Sequence, residues 1–315
     1  PVYWMASDDH DFEEIKFFNS YQKKFTHDIS SENFCAGDIK TKNLEKVYRD
    51  LEIEFSNKKN VKQLLQVFKE SYLSNKTYSS ATRHLVYELF KDYDIIVLDP
   101  NEKMLKTHFK SIVIDEISNF STYKIVNETV GKISETYKGK FKPQVNPRKV
   151  NLFYIENQKR FRIDFKNGLF KIFNKNYSKE ELLKIVESNP ENFSPNVLLR
   201  PLYQESILPN LAYVGGGSEI SYWLELKDLF IFYKIPFPIL SLRCSLLLLN
   251  EKDIDQISRN NLSVSDFFEQ LDFIEKKYIS KKNTGKYNFT NFIKEYNLLL
   301  DNQLSQLLKI DKNLN

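Results

Sequence analysis

The sequence predicts an α/β protein with a parallel sheet, and three observations carry this prediction. Short apolar runs at residues 2–6 and 95–98 have the length of buried strands, and segments with helical periodicity lie between them. A third apolar run, at residues 211–214, is followed by three consecutive glycines and then by an amphipathic segment. Parallel strands are joined by crossovers, so the carboxyl ends of these three strands should meet at one edge of a sheet.

The first part of the predicted core covers residues 1–137. We expect a helix over residues 11–30, because acidic side chains occupy its first turn, where the helix dipole favours negative charge. Apolar residues at three- and four-residue spacing predict the remaining helices at residues 41–55, 61–73, 80–91 and 103–137.

Residues 138–190 are predicted to form an inserted region of β-hairpins followed by a helix. Turn-forming pairs at Asn157-Gln158 and Asn167-Gly168 separate three apolar runs of strand length. Ser178 and Glu181 have the spacing of a capping box, which predicts that a helix begins there. The core then resumes over residues 191–258, with another buried strand expected at residues 237–249.

The last segment, residues 259–315, is predicted to form a helical coiled-coil hairpin. Its apolar residues repeat at alternating three- and four-residue steps, at Val264, Phe267, Leu271, Ile274 and Tyr278, and again at Phe289, Phe292, Tyr296 and Leu299. The polar break at residues 281–287 is short enough to let two long helices fold back on each other. An apolar stripe of this kind needs a partner, so we expect an intramolecular hairpin first and a dimer contact second.

The composition excludes several classes of protein. Lys and Arg number 46 against 42 Asp and Glu, and this small excess predicts no nucleic-acid partner. No apolar run is long enough to span a membrane, and no signal peptide is evident. The two cysteines, Cys35 and Cys244, lie far apart, which favours a reducing, cytoplasmic setting and argues against a structural zinc site. The chain begins at Pro1 rather than at Met, so we expect it to come from a longer protein.

The polar cluster after the first strand is the strongest candidate site. Asp8, Asp9, His10 and Asp11 follow the apolar run directly, where ligands bind in open α/β sheets. We expect His10, Asp11 and Asp9 to be catalytic, since this set supplies an acid, a base and hydrogen-bonding groups. Asp8 or Asp9 would orient His10 or bind an ammonium group. The alternative is that these acids only cap a helix.

The glycine-rich turn is a second candidate. Gly215, Gly216, Gly217 and Ser218 lie between a predicted strand and a helix that Ser218 would cap, which suits an anion or nucleotide cradle. The alternative is a tight turn that requires positive φ angles. We expect this turn to lie at the same sheet edge as His10. Two further residues carry weaker expectations: Asp99, at another strand end, and Arg243, which would extend from a strand end into solvent.

Three blocks of the sequence resemble one family, the cysteine-adding enzymes of bacillithiol biosynthesis. They are PVYWMASDDHDFEE at residues 1–14, NVLLRPLYQESILPNLAYVGGGSEISYWLEL at residues 196–226 and, more weakly, IPFPILSLRCSLLLLN at residues 235–250. The resemblance implies a Rossmann-like core with inserts, a coiled coil that assists formation of a homodimer, and the joining of cysteine to the amine of glucosaminyl-malate. The family usually has Gly-Gly-Pro-Gly-Glu where this chain has Gly215-Gly216-Gly217-Ser218-Glu219. A further motif of the form TGQQ lies upstream in the family and is absent here, so we expect the chain alone to be inactive.

Such a ligation requires the carboxyl group to be activated, as an adenylate or a phosphate anhydride, before the amine attacks. ATP or another adenine nucleotide is therefore the expected second substrate, and the protein supplies positioning and charge stabilisation. Arg200 and Gln204 suit a malate carboxylate or a phosphate. The remaining expected substrate contacts are Asn210, Tyr213 and Glu219.

Two other hypotheses stay open at the level of sequence. One is a non-catalytic assembly protein that works through its carboxyl-terminal helices. The other is an aminoacyl-tRNA synthetase-like enzyme, which would need HIGH and KMSKS motifs and a basic RNA face that the sequence does not display. Four arginines around the insert are expected to be structural or solvated: Arg83, Arg148, Arg160 and Arg162.

Overall fold

Two parallel strand pairs and one antiparallel sheet form the framework of the protein, in a computed structural model that describes residues 1–20, 23–30, 32–56, 58–138, 140–282 and 289–310. The chain divides into two compact units, Pro1–Arg243 and Cys244–Asn315. Within the described residues, no helix is both long enough and apolar enough to cross a membrane.

The first third of the chain alternates short strands with helices. Its elements are β1 (Val2–Trp4), α1 (Phe12–Ile15), β2 (Phe17–Ser20), β3 (Lys23–Thr26), α2 (Glu45–Phe55), α3 (Val61–Phe68), α4 (Tyr78–Phe90) and β4 (Ile96–Leu98). β1 pairs with β4 in parallel, with Trp4 opposite Leu98. Three of the predicted helices are confirmed here as α2, α3 and α4. The last begins at a capping box formed by Thr77 and Ser80.

The helix expected over residues 11–30 is wrong. Only the four residues of α1 are helical, and β2 and β3 then form an antiparallel pair. Phe18 and Phe25 face each other across this pair with their rings stacked at 5.2 Å, and Phe25 is buried against α2. The aromatic cross-strand pair and the burial of Phe25 against α2 are tertiary contacts that favour the β-pair, and an acidic first turn does not reveal them.

The middle of the chain carries the main hydrophobic core. Its elements are α5 (Lys103–Lys106), α6 (Lys110–Asn119), α7 (Ser121–Thr136), β5 (Leu152–Glu156), β6 (Lys159–Lys166), β7 (Leu169–Ile172), β8 (Lys175–Tyr177), α8 (Lys179–Ser188) and β9 (Phe193–Pro195). The five strands form one antiparallel sheet in the order β8-β7-β6-β5-β9. The capping box of Ser178 and Glu181 at the start of α8 is confirmed. The single helix predicted over residues 103–137 is wrong, because Phe120 adopts a left-handed conformation between α6 and α7.

The first unit ends with α9 (Arg200–Ile207), β10 (Ala212–Gly215), α10 (Gly217–Glu225), α11 (Lys227–Tyr233) and β11 (Ile239–Leu242). β10 and β11 pair in parallel, with Gly215 opposite Leu242. The predicted buried strand over residues 237–249 is wrong in both length and burial: β11 has four residues, and Ile239 is 72% exposed. β11 pairs with β10 alone among the described residues, and Leu240 packs against the core whereas Ile239 and Leu242 are exposed.

The expectation that β1 and β10 share one continuous sheet is also wrong for the described residues. The pair β1–β4 and the pair β10–β11 belong to separate sheets. Side chains of α9, rather than main-chain hydrogen bonds, connect them: the Tyr203 ring packs edge-on against Trp4 at 5.7 Å, and Arg200 contacts Tyr213 of β10. The mixed architecture with parallel strands nevertheless fits the predicted α/β class.

The second unit contains α12 (Glu251–Arg259), α13 (Leu271–Lys282) and α14 (Thr290–Ile310). The apolar residues Val264 and Phe267 do not continue into α13, because they lie on a separate 3-10 turn that Ser263 and Asp266 cap. Large apolar side chains of α13 and α14 are exposed, with Leu271 at 67% and Leu299 at 60%. Most of the predicted polar break, from residue 283 to residue 287, lies outside the described residues, and the coiled-coil hairpin stays a prediction.

Candidate functional site

A polar cleft of about 330 Å³ opens at the carboxyl end of β1. It lies between the loop that follows β1, strands β5 and β6 of the antiparallel sheet, and the segment that enters α9. Charged and aromatic side chains line the cleft, among them Asp8, Asp9, His10, Asp11, Arg148, Phe153, Arg160, Arg162 and Arg200. Four of the predicted polar residues after β1 are thus brought together with Arg200, which is about 190 residues away in the sequence.

The loop after β1 is held by contacts with two other segments. Ser7 is buried; its hydroxyl donates to the carboxylate of Asp99, and its carbonyl accepts the N–H of Gly37 at 2.8 Å. A Cβ atom on Gly37 would lie 2.5 Å from that of Ser7, so only glycine permits this close approach. Asp99, which the sequence offered as a further candidate, therefore holds the loop in place through the buried hydroxyl of Ser7. Burial raises the pKa of Asp99, although its hydrogen bonds act in the opposite direction.

Asp8 forms a buried ion pair with Lys106 of α5. Its Oδ2 accepts from Lys106 Nζ at 2.9 Å and from the hydroxyl of Ser194 at 2.8 Å, and both of these partners are fully enclosed. Burial alone would raise the pKa of Asp8, but the charges of Lys106 and Arg160 and the two hydrogen bonds outweigh it and lower the pKa to about 2. Asp8 is therefore ionised at neutral pH and holds the loop on the core.

Asp9, His10 and Arg160 form a hydrogen-bonded cluster at the cleft wall. Asp9 Oδ1 accepts from Arg160 Nη1 at 2.9 Å and from the main-chain N–H of His10 at 2.7 Å. His10 Nδ1 lies 3.2 Å from the same carboxylate oxygen and 3.0 Å from Arg160 Nη1. Burial would raise the pKa of Asp9, but the hydrogen bonds from His10 and the charge of Arg160 lower it. Nδ1 either donates to the Asp9 carboxylate or accepts from Arg160, and in both cases these partners orient the imidazole through Nδ1 and leave Nε2 as the nitrogen available to a ligand.

Arg160 is the residue that organises this wall. Its guanidinium is 6% exposed and also donates to the Ser194 hydroxyl at 3.1 Å and to the Pro195 carbonyl at 2.6 Å, while its Cζ lies 4.0 Å above the ring of Phe153. A planar group with several fixed donors can satisfy all of these partners at once, whereas a lysine cannot. Arg160 is thus structural, as expected, and its contacts also place it beside His10, which its position in the sequence did not indicate.

Arg200 lies at the start of α9, and its side-chain hydrogen-bond partners among the described residues are neutral groups. It donates to Gln204 Oε1 at 2.9 Å, to the Tyr222 hydroxyl at 3.0 Å and to the Tyr213 hydroxyl at 3.3 Å. These neutral groups fix the guanidinium, and the nearest carboxylate in this network, that of Glu219, is linked to it through the Tyr213 hydroxyl. Arg200 can thus attract an anionic group of a ligand in the cleft.

Two predicted substrate contacts, Gln204 and Asn210, are engaged elsewhere. Gln204 is 5% exposed and donates to the buried carboxylate of Glu205 at 2.9 Å. Asn210 donates to the same carboxylate through its main-chain N–H at 2.7 Å and its side-chain amide at 2.9 Å. Neither residue lines the cleft, and their contacts fit support of α9 and the turn after it.

The glycine-rich turn does not line the cleft either. α10 begins at Gly217 rather than at Glu219, and the Glu219 carboxylate caps it by accepting the Gly216 N–H at 2.7 Å, so Ser218 is not the cap. Glu219 also accepts from the Tyr213 hydroxyl at 2.8 Å. Burial alone would raise the pKa of Glu219, but these hydrogen bonds outweigh it and the pKa is lowered overall. An ionised acidic group therefore occupies the place where an anion would bind.

Close packing, rather than a positive φ, explains the glycine at position 215. A Cβ there would lie 2.6 Å from the Tyr213 ring, and the positive-φ alternative is wrong, since Gly168 is the one glycine with positive φ among the described residues. Arg243, just after β11, is exposed as expected, and its guanidinium lies beside Gly216. The turn therefore positions Tyr213, which in turn contacts Arg200.

A metal could be held only by the cluster of Asp9, His10 and Asp11, among the residues the structure describes. These three side chains offer ligand atoms within 4.8 Å of one another. The donor set suits a divalent cation in type, but the Arg160 guanidinium already contacts both Asp9 and His10 and would repel one. The observed partners thus favour a hydrogen-bonding role for this cluster.

Comparison with known proteins agrees with this architecture. The family profile described as "Bacillithiol biosynthesis BshC, N-terminal Rossmann-like domain" matches residues 1–244. A protein of Flavobacterium psychrophilum named "Putative cysteine ligase BshC" is 43% identical over 270 residues, which are 85% of this chain and 50% of the relative. Proteins with the same name are 39% identical over 283 residues in Christiangramia forsetii (88% of this chain, 52% of the relative) and 29% identical over 298 residues in Bacillus cytotoxicus (90% and 54%).

This chain spans about half the length of each of those relatives. The profile match covers well over half of the chain and contains every residue of the cleft. The chain therefore belongs to the bacillithiol biosynthesis BshC family, whose N-terminal Rossmann-like domain it carries.

Proposed function

We propose that the protein containing this chain is an amide-forming ligase, which joins the carboxyl group of cysteine to the amine of glucosaminyl-malate and yields bacillithiol. The observation that carries the proposal is a single cleft that combines an oriented His–Asp pair with arginine side chains, in a chain whose relatives are named as cysteine ligases. An amine nucleophile needs a proton acceptor, and an activated carboxylate needs cationic or donor groups around its oxygens. The cleft offers both kinds of group.

The proposed roles follow from the contacts. His10, oriented by Asp9, takes a proton from the attacking amine through Nε2 or donates a hydrogen bond to a phosphoryl oxygen. Asp11 is exposed at the cleft mouth, where it can attract the ammonium form of a substrate. Asp8 keeps the loop in place from within the core, and Arg200 binds an anionic group. Gln204, Tyr213 and the turn at Gly215 act by positioning Arg200.

We propose further that ATP or a related adenine nucleotide activates the carboxyl group. A carboxylate and an amine do not condense in water without activation, and the cationic cleft suits the charge that develops on the transferred group.

A reducing cytoplasm is the proposed setting, because Cys35 and Cys244 are both free thiols. We propose a homodimer on the basis of the exposed apolar side chains of α13 and α14. The proposed domain division is core (1–137 and 191–258), insert (138–190) and coiled coil (259–315).

The direct test is a product assay with the complete protein, cysteine, glucosaminyl-malate and ATP, read by mass spectrometry. Formation of bacillithiol, with loss of one water between the substrates, supports the proposal. Absence of product with any nucleotide, while both substrates bind, contradicts it. ADP or AMP in the same spectrum identifies which bond of ATP is broken.

Arg200→Ala tests the assignment of the anion site within the same assay. We expect the variant to bind glucosaminyl-malate about 1.5–3 kcal/mol more weakly, because it loses hydrogen bonds to a charged group. The binding of cysteine should change less. Unaltered affinity for glucosaminyl-malate would mean that Arg200 only supports α9.

A further inference from the structure

The charges that line the cleft do not balance. Asp8 is paired with Lys106, and Asp9 is paired with Arg160, so these four side chains neutralise one another. Three arginines at the cleft remain: Arg148, Arg162 and Arg200. Among the described residues, none of these three guanidinium groups has a carboxylate partner within 4 Å. The cleft therefore presents three arginines without a direct ion pair, of which Arg200 also interacts with Glu219 through Tyr213, and the exposed carboxylate of Asp11 lies at the same cleft.

Arg148 is exposed at the cleft, but its main chain is fixed from the core. Asn151, which is 1% exposed, accepts the Arg148 N–H at 3.1 Å and donates to the Arg148 carbonyl at 2.7 Å. Asn151 is held in turn by the buried carboxylate of Glu116, to which it donates twice, at 2.9 and 2.8 Å. This support fixes the main chain at position 148, and therefore the point at which the exposed Arg148 side chain leaves the backbone beside the cleft.

Arg162 is placed by the pairing of β5 and β6. Arg162 lies directly opposite Phe153, and its Cζ is 5.8 Å from the centre of that ring. The guanidinium of Arg160, two residues earlier on β6, stacks on the same ring. Side chains two residues apart on a strand share a face, so Arg162 extends the cationic wall from buried Arg160 to the exposed rim. Arg148, Arg162 and Arg200 thus come from three different elements that the fold has brought to one cavity.

We propose that Arg148, Arg162 and Arg200 form a subsite for a dicarboxylate, with Arg200 at the base and the other two at the rim. Separate guanidinium forks can each bind one carboxylate, and several of them suit a ligand with two anionic groups better than a ligand with one. The proposal deepens the proposed function, on which its substrate rests: the malate half of glucosaminyl-malate carries two carboxylates. In this arrangement the subsite holds the malate and directs the amine of the sugar toward His10.

The experiment measures binding by titration calorimetry, which requires no catalysis. The probes are L-malate, L-lactate as the matching hydroxy acid with one carboxylate, and inorganic phosphate, each added to the complete protein. The variant is Arg148→Gln with Arg162→Gln, which removes two charges from exposed side chains and retains their polar length. The control is Lys166→Ala, which removes one exposed charge from the same strand outside the cleft.

We expect the wild type and the Lys166→Ala control to bind L-malate at least about 10-fold more tightly than L-lactate, since each lost hydrogen bond to a charged group weakens binding by about 10-fold or more. The double Gln variant should lose most of this preference while its thermal stability stays unchanged. Equal binding of malate by the variant and the control would overturn the proposal. Tight binding of phosphate without binding of malate would also overturn it.

The outcome is distinguishable from failure of the proposed function. If no bacillithiol forms but malate binding depends on the rim arginines, the subsite stands and the ligation does not. If bacillithiol forms and the double Gln variant leaves the KM for glucosaminyl-malate unchanged, the ligation stands and the subsite is wrong.

Discussion

Replacement of Lys106 by methionine tests the role of the buried ion pair beneath the candidate site. Lys106 is 1% exposed, and its ammonium contacts Asp8 and the Phe193 carbonyl inside the core. Methionine has a similar length and fits an apolar environment, so the substitution removes the charge with little change in volume. It leaves the carboxylate of Asp8 buried without its cationic partner.

The expected loss of stability is about 3–5 kcal/mol at pH 7, because removal of one partner leaves an uncompensated buried charge. The lowering of the pKa of Asp8 from 3.8 to about 2 gives an independent figure. At about 1.36 kcal/mol per pKa unit, it corresponds to about 2.5 kcal/mol of net stabilisation, which is what the groups around Asp8 contribute beyond the cost of burying its charge. The hydroxyl of Ser194 and the charge of Arg160 remain in the variant, so we expect a value near the lower end, about 3 kcal/mol.

The sign of the pH dependence follows from the direction of the shift. Since the pKa of Asp8 is lower in the folded protein than in the unfolded chain, its contribution is fully present above about pH 4 and is lost as the pH falls toward 2. In Lys106→Met the pKa of Asp8 should rise, so this contribution disappears. The stabilities of the wild type and the variant should therefore converge in acid.

Urea denaturation of the complete protein at pH 7 and at several values between pH 4 and pH 2 measures both effects. Lys103→Met is the matched control, because Lys103 lies on the same short helix but is 74% exposed, in an ion pair with Glu191 at the surface. An exposed pair of this kind contributes about 0–1 kcal/mol. If Lys106→Met destabilises the protein no more than Lys103→Met does, the buried pair does not support the site as argued.

Three further predictions address the site, the thiols and assembly. Arg160→Lys should lower kcat for bacillithiol formation by about 10-fold or more and should also lower the thermal stability, because an ammonium cannot satisfy Asp9, Ser194 and Pro195 together; an unchanged kcat would remove Arg160 from the site. Burial, together with neighbouring carboxylates, raises the pKa of Cys35 to about 12. Iodoacetamide at pH 8 should therefore label the peptide that contains Cys244 and leave the peptide that contains Cys35 unmodified until urea is added. Labelling of Cys35 before urea is added would contradict its burial. Substitution of both Leu271 and Ile274 by Glu should change the oligomeric state measured by light scattering, and an unaltered mass and helicity would show that this stripe faces water.

Local sequence patterns predicted the elements whose contacts are local. The spacing of apolar residues indicated α2, α3 and α4, and the polar spacing of Ser178 and Glu181 indicated the start of α8. The same reasoning failed over residues 11–30. There, the ring contact between Phe18 and Phe25 and the burial of Phe25 against α2 decide the structure, and periodicity within one segment does not contain that information.

The candidate site divides in the same way. Asp8, Asp9, His10 and Asp11 could be predicted because they are consecutive and follow an apolar strand, and the structure places them in one cleft. Their partners could not be predicted from spacing. Lys106, Arg160 and Ser194 lie 98, 151 and 186 residues from the acids that they contact. A lysine or arginine within an otherwise ordinary amphipathic segment has the same pattern whether it points to solvent or to a buried carboxylate.

Local patterns along the chain were therefore enough to predict the α/β class, most of the helices in the first third of the chain, the polar cluster after β1 and the family. The packed fold was needed to show that β1–β4 and β10–β11 are separate pairs, that Glu219 rather than an anion occupies the start of α10, and that the insert supplies Arg160 to the site. The difference lies in the range of the interactions. Helix periodicity and capping depend on residues three or four positions apart. The ion pairs at the cleft form only when distant segments of the chain pack around one core.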